Sequence, residues 1–315
     1  MLSLFSGWLG RIIWWFVLSA LLQTAQADAP QVTVSIKPLH SLVAGVMQGV
    51  AEPDLLIPAG QSPHEFSLRP SDMRKLSSAA MIVWLGESFE TPLAHALHRS
   101  QEGRRSIALL EQPGIFLLPA RQGGVWEKRE RSEVDGSHHH ADDIDPHIWL
   151  STRNAVQIVQ ILRDALIEID PANRPRYQVN AQRLLVRLEQ LEKALEAGLS
   201  KVRDIPFIVF HDAYQYFQQQ FGLRAVGSIT IGPERQPGAR RIHEIHAKLQ
   251  RLEARCVFSE PQFEPKLLRM LIQDTQVRSG TLDPIGADLQ SGPDAYFLLL
   301  KNLQANLVGC LEESP

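Results

Sequence analysis

The sequence has few cysteines and no strong excess of charge of either sign. Its 315 residues include two cysteines, and 32 Lys and Arg stand against 35 Asp and Glu, for a net charge of −3. A weakly acidic chain lacks the basic surface that nucleic-acid binding requires, so we expect no nucleic-acid partner. Two cysteines without CxxC spacing also argue against a metal site built from cysteine thiolates.

Long apolar runs are absent except near the N-terminus. There Arg11 precedes an apolar stretch over 12–22, which is followed by Ala25-Gln26-Ala27. A cation, a short apolar core and a small-x-small motif predict a secretory signal peptide over residues 1–27. An uncleaved membrane anchor is the alternative, but the stretch is short for a bilayer span. We therefore expect an exported, soluble mature chain.

The two cysteines have a second meaning in an exported protein, where an even pair predicts a disulfide bond. Cys256 lies at the start of a predicted strand, and Cys310 lies near the end of the last predicted helix. In the chain-entropy model a bridge across this separation stabilises the fold by about 4 kcal/mol.

Short apolar runs alternate with helical patterns in both halves of the chain. Such alternation predicts parallel sheets covered by helices, an α/β fold with one lobe over 28–170 and another over 204–315. The predicted strands are 31–36, 54–58, 81–86, 206–211, 256–261 and the start of 277–286. The predicted helices are 40–50, a segment that begins at Pro70, a segment after Leu150, 238–251, 265–273 and a last helix toward Gly309.

Two further segments lie between the predicted lobes or interrupt them. Residues 171–203 contain leucines three or four positions apart, which predicts one long helix, a rigid strut between the lobes. Residues 121–145 are charged and lack apolar periodicity, so we expect a flexible loop there. This loop carries His138, His139 and His140 among several aspartates.

Four side chains with ligand chemistry occupy turns at the predicted lobe edges. His64, His211 and Asp283 each follow a predicted strand, and His147 lies in a turn before a helix. Ligands of open parallel sheets bind beyond the carboxyl ends of the strands, so these four can converge. Three imidazoles with a carboxylate or water suit zinc, whereas calcium and magnesium require more oxygen ligands.

Five motifs in this order carry a family resemblance: SPHEFSLRPSD, DPHIWLS, FHDAYQYF, EPQF and GTLDPIG. Together with the long central helix, they resemble the periplasmic zinc-binding proteins of ABC uptake systems, the ZnuA type. The resemblance implies two αβ lobes joined by one rigid helix, with zinc in the cleft between them. It also implies a Cys256–Cys310 disulfide, a periplasmic location, and a membrane permease with its ATPase as partners.

The resemblance assigns His64, His147 and His211 as the zinc ligands. Some relatives use a glutamate just before the first ligand histidine, but Pro63 occupies that position here. The fourth ligand is then Asp283 or a water, and Asp283 can instead support the ligands through a hydrogen bond. The His138–His140 loop, with Asp142, Asp143 and Asp145, is expected to form a weaker second site.

Two other functions remain as alternatives. One is a manganese-type binding protein or adhesin of the same fold. The other is a zinc hydrolase that activates a metal-bound water, with Glu65 or Asp212 as the base. We expect a monomeric zinc carrier with no catalytic activity. We expect His40 at most to hydrogen-bond a ligand and not to bind the metal itself.

Overall fold

A computed structural model describes most of the chain after the predicted signal peptide. The described residues are 29–58, 61–64, 66–99, 105–121, 144–230, 238–251, 254–261, 265–273 and 275–312.

The N-terminal lobe contains a four-stranded parallel sheet in the order β2-β1-β3-β4. Every residue of β1 and β3 is buried, as expected for strands covered on both faces by helices. The strands are β1 Val32–Val34, β2 Asp54–Leu55, β3 Met81–Trp84 and β4 Arg105–Ala108.

The C-terminal lobe repeats this arrangement with a parallel sheet in the order β6-β5-β7-β8. In both lobes the first strand lies between the second and the third, so the loops that leave it open into a crevice. The strands are β5 Phe207–Val209, β6 Ala225–Ser228, β7 Cys256–Ser259 and β8 Arg278–Thr281.

Nine α-helices cover the two sheets and connect them in the described part of the chain. They are α1 Lys37–Val46, α2 Pro70–Ser78, α3 Thr91–Arg99, α4 Thr152–Ile169, α5 Arg174–Leu199, α6 Gln215–Phe221, α7 Ala239–Arg251, α8 Pro265–Ile272 and α9 Ala295–Glu312. No helix among these described segments is long and apolar enough to cross a membrane.

The long helix α5 joins the lobes and packs against helices of both. Its buried leucines belong to one hydrophobic core with side chains of both sheets, such as Val83 and Phe258. Gly45 allows α1 to approach α5 closely, because a Cβ there would lie 2.8 Å from Leu184. The buried α5 leucines are Leu184, Leu188, Leu191, Leu195 and Leu199.

The predicted disulfide between Cys256 and Cys310 is confirmed. Their Cα atoms lie 6.2 Å apart, and the bond connects β7 to the C-terminal part of α9. The bridge therefore attaches the last helix of the chain to the sheet of the C-terminal lobe.

The fold class is confirmed, and the differences from the predicted elements are local. Helix α1 begins at Lys37 rather than at residue 40, because Pro38 suits the first turn of a helix. Strands β4 and β6 were not predicted. Only the second half of β4 is buried and half of β6 is partly exposed, so neither gives the apolar run of a central strand.

Candidate metal centre

His64, His147 and His211 meet in the cleft between the lobes. His64 lies in the turn between β2 and α2, and His211 follows β5 by two residues. His147 directly precedes a one-turn 3₁₀-helix, Ile148–Leu150, which leads into α4. Within the described residues, they form the one group of three or more His, Cys, Asp or Glu side chains whose ligand atoms could surround an ion.

The distances among the three rings fit a small ion. One ring nitrogen from each residue lies within 4.8 Å of the other two, and the ring centroids are 5.3–5.5 Å apart. The Nε2 atoms of His147 and His211 are 3.4 Å apart. A tetrahedral zinc ion with bonds of 2.0–2.1 Å holds two nitrogens about 3.3 Å apart.

Two buried carboxylates determine which nitrogens are available. His147 Nδ1 lies 2.7 Å from Asp145 Oδ1, and His211 Nδ1 lies 2.6 Å from Glu260 Oε1. A carboxylate accepts hydrogen bonds, so each Nδ1 carries the proton and donates it. In the neutral rings each Nε2 then carries a lone pair and no proton, and the two lone pairs face and repel each other. A cation between them relieves this repulsion.

The pKa values of the three histidines differ because their surroundings differ. Burial, with the neighbouring His147 and His211, holds the pKa of His64 well below its usual range, and burial does the same for His147. Burial also opposes charge on His211. The carboxylates of Glu260, Asp212 and Asp145 outweigh that effect, so the pKa of His211 is raised.

Aromatic side chains form one wall of the site. The Phe89 ring contacts His64 edge-on, with centroids 4.6 Å apart, and also lies near His147. Trp149 lies 5.2 Å from the His147 ring, centroid to centroid. These rings restrict the orientations that the ligand imidazoles can adopt.

Asp283 lies outside the three-histidine group, and its carboxylate accepts backbone hydrogen bonds. Oδ1 accepts from the N–H groups of Ile285 and Gly286, and Oδ2 accepts from Ala287. Both oxygens are thus engaged in the turn that follows β8.

Among the other residues singled out in the sequence, Asp145 lies where the sequence did not place it, and several fall outside the described residues. Asp145 was assigned to the flexible loop, but it is buried and accepts hydrogen bonds from His147. Its backbone N–H also donates to the Leu118 carbonyl. His40 Nε2 lies 2.9 Å from the Pro53 carbonyl, outside the histidine group. His138, His139 and His140, like residues 1–27 and Glu65, lie outside the described residues.

Sequence reasoning missed the role of Glu260 beside His211. The EPQF motif drew attention only as part of the family resemblance. Glu260 directly follows β7, which neighbours β5, and this position was the available signal. Side chains at the carboxyl ends of two neighbouring parallel strands lie close together, so a carboxylate after β7 can reach a histidine after β5.

A family model, "ZnuA: Zinc-uptake complex component A periplasmic", matches residues 32–310 of the chain. The chain belongs to the ZnuA family. Among curated ZnuA relatives, the High-affinity zinc uptake system protein ZnuA of Brucella suis is 42% identical over 306 residues, covering 90% of this chain and 92% of the relative. The protein of the same name from Yersinia pestis is 38% identical over 293 residues, covering 89% and 91%.

Solved structures share the fold of this ZnuA family member. A zinc-bound ZnuA deletion mutant superposes with a TM-score of 0.74 at 25% identity, covering 91% of this chain and all of the other. The periplasmic zinc-binding protein TroA from Treponema pallidum superposes with a TM-score of 0.75 at 19% identity, covering 90% and 99%. The second likeness shows the fold alone.

Proposed function

We propose that this ZnuA family member is the zinc-capturing component of an ABC uptake system. The facing Nε2 atoms of His147 and His211 carry the proposal, because two buried lone pairs 3.4 Å apart require a cation or a proton between them. His64 supplies the third nitrogen, and a water completes a tetrahedral zinc ion. The names of the relatives support zinc as the cargo.

The proposed path of zinc begins outside the inner membrane. The chain is exported by its signal peptide and works in the periplasm as a monomer. It binds zinc in the cleft and docks onto a membrane permease whose partner ATPase supplies the energy. The family description, a periplasmic zinc-uptake component, supports this location and these partners.

A carrier explains the surroundings of the site better than a hydrolase does. Asp212, one proposed base, accepts a hydrogen bond from Arg121 at 3.0 Å, and its carboxylate is largely buried. A general base must instead be free to contact the metal-bound water. The three-nitrogen set also favours zinc over manganese, because manganese prefers carboxylate and other oxygen ligands.

Metal analysis and titration test this function directly. Mass spectrometry of the purified mature protein, before any metal is added, should find zinc. Titration of the metal-free protein should give one tight zinc site and much weaker manganese binding. Tight manganese binding with weak zinc binding would overturn the proposal, and so would turnover of a hydrolysable ester that depends on bound zinc.

A weaker second zinc site is proposed on the loop that carries His138, His139 and His140. Its support is composition alone, since imidazoles beside aspartates bind divalent cations. Deletion of residues 132–143 should leave the tight site and remove the weaker binding. An unchanged zinc stoichiometry after deletion would show that the loop binds none.

A further inference from the structure

Lys37 connects the two lobes at a buried point. It begins α1 in the N-terminal lobe, and its Nζ donates to three carbonyl oxygens of the C-terminal lobe, each 2.7 Å away. An ammonium group has three N–H donors, so the full donor capacity of Lys37 is used on this one turn. The three acceptors are the carbonyls of Gly286, Ala287 and Leu289.

The same turn is held from its own lobe by Asp283. Its carboxylate accepts from the N–H groups of Ile285, Gly286 and Ala287 at 3.1, 3.0 and 2.5 Å. Gly286 has φ +68°, a left-handed conformation that glycine adopts without strain. A tight turn of this shape directs successive N–H groups at one carboxylate.

Residues 286 and 287 therefore lie between two opposite charges. Their N–H groups point to the Asp283 carboxylate, and their carbonyls point to the Lys37 ammonium. Hydrogen bonds to ionised groups are about twice as strong as neutral ones. Each charge stabilises the turn conformation that the other one requires, so loss of the ammonium weakens the hold on Asp283.

The turn also contacts residues that adjoin two of the histidines. Trp149 Nε1 donates to the Pro284 carbonyl at 2.7 Å, and Trp149 is two residues beyond His147. The Tyr214 hydroxyl donates to the Leu282 carbonyl at 3.2 Å, and the Tyr214 ring lies 6.5 Å from that of His211. These contacts link the turn that holds Asp283 to the chain segments that carry His147 and His211.

We propose that Lys37 is a positioning residue for metal selectivity. By fixing the turn from the opposite lobe, it keeps the Asp283 carboxylate on backbone N–H groups and out of the coordination sphere. The metal then meets three imidazoles and a water, which suits zinc. A released Asp283 would add an oxygen ligand, which suits manganese. This inference rests on the proposed zinc function.

The test compares zinc and manganese affinities of Lys37→Met with those of the wild type. Lys75→Met is the matched control, because Lys75 also donates to a main-chain carbonyl, that of Leu55, but within one lobe. Competition titrations should show that Lys37→Met lowers the ratio of zinc to manganese affinity by about tenfold or more, which is the scale on which outer-shell partners change metal affinity. Lys75→Met should leave the ratio unchanged.

A double variant separates positioning from simple stabilisation. Adding Asp283→Asn to Lys37→Met should abolish the gain in manganese affinity, because the freed carboxylate is then gone. An unchanged ratio in Lys37→Met, whatever its melting temperature, would overturn the inference. So would a manganese gain that persists in the double variant.

Failure of Lys37→Met to fold and failure of the wild type to bind zinc have different consequences for the inference. If Lys37→Met fails to fold, Lys37→Gln, which keeps a polar donor, should shift the ratio in the same direction by less, and an unchanged ratio there counts equally against the inference. If the wild type binds no zinc, the proposed function fails first. If the wild type binds zinc tightly and the Lys37 variants have the same ratio of zinc to manganese affinity as the wild type, only the role of Lys37 is contradicted and the proposed function stands.

Discussion

Asp145 accepts two hydrogen bonds from His147, one from its backbone N–H at 3.0 Å and one from its ring Nδ1 at 2.7 Å. The two residues are separated by Pro146 alone, so the motif DPH builds its own support for the ligand ring. One carboxylate oxygen thereby fixes the ring orientation and the position of its proton. Glu260, at the end of β7, accepts the corresponding ring hydrogen bond from His211, which follows β5.

We expect the loss of either carboxylate to weaken zinc binding without removing a ligand. Asp145→Asn and Glu260→Gln should each lower zinc affinity by about 10- to 100-fold, because an uncharged partner orients the ring less firmly and lowers its basicity. Competition titration against a calibrated chelator measures the change. Asp164→Asn is the control, since that exposed carboxylate pairs only with Arg163 among the contacts described. Equal affinities in all three variants would contradict the support role.

Removal of a ligand ring should have a larger effect. His64→Ala or His211→Ala should lower zinc affinity by more than about 100-fold, beyond the cost of losing an outer hydrogen-bond partner. The fold should survive, as judged by circular dichroism. His95→Ala, on the exposed face of α3, should bind zinc like the wild type. Near-native affinity in either ligand variant would remove that residue from the site.

Zinc binding should weaken as the pH falls, and binding should release protons. The raised pKa of His211 means that this ring begins to hold a proton above the ordinary histidine value of about 6.5. Zinc has to displace that proton, whereas the lowered pKa values of His64 and His147 keep those rings neutral. Calorimetry in buffers of different ionisation enthalpy counts the protons released. An affinity that stays flat on acidification from about pH 8 to 6 would contradict this assignment.

Glu90 should make the metal-free protein less stable as the pH rises. Its side chain is fully buried, and burial raises its pKa to about 7, although the Ser35 hydroxyl and the N–H groups of Leu85 and Gly86 oppose the shift. The folded state thus holds a proton that the unfolded chain loses near the ordinary glutamate pKa of about 4.3. The free energy of unfolding should therefore fall by up to about 3 kcal/mol between that pH and about pH 7.

Glu90→Gln should reduce this dependence, because a neutral amide has no proton to lose. Asp145 and Asp212, whose pKa values burial also raises to about 7, should retain part of it. Urea titrations of the metal-free protein over this pH range measure the free energy of unfolding. Glu111→Gln changes an exposed carboxylate in the same lobe and serves as the control. A slope with pH that is the same in Glu90→Gln and the wild type would show that another group causes it.

The alternation of strands and helices was readable from the sequence because central parallel strands are buried on both faces. The runs VTV and MIVW are β-branched or apolar and fully buried, and they form β1 and β3. The pattern fails at β4 and β6, where RSIA and AVGS are partly exposed. Their strand conformation comes from pairing with a neighbouring strand, which is a tertiary effect that local pattern does not contain.

The candidate site was predictable only where its residues follow recognisable apolar runs. His64 and His211 stand out because each follows an apolar run, which places each of them beyond the carboxyl end of a strand in its own lobe. Glu260 and Lys37 did not stand out, because their roles depend on partners 49 and about 250 positions away along the chain. The pattern of a single sequence predicts contacts within one turn, helix or strand. Contacts between loops that are far apart along the chain depend on the tertiary structure and are not predicted by it.

The leucine row of α5 has a consequence for how the cargo leaves. These side chains share one interior with both halves of the molecule, so prising the halves apart would expose that interior to water. Movement of a single imidazole would leave that interior buried, whereas separation of the halves would not. His64 is suited to that movement, because it is less buried than His147 and His211 and, among the described contacts, its ring has no bond to a carboxylate.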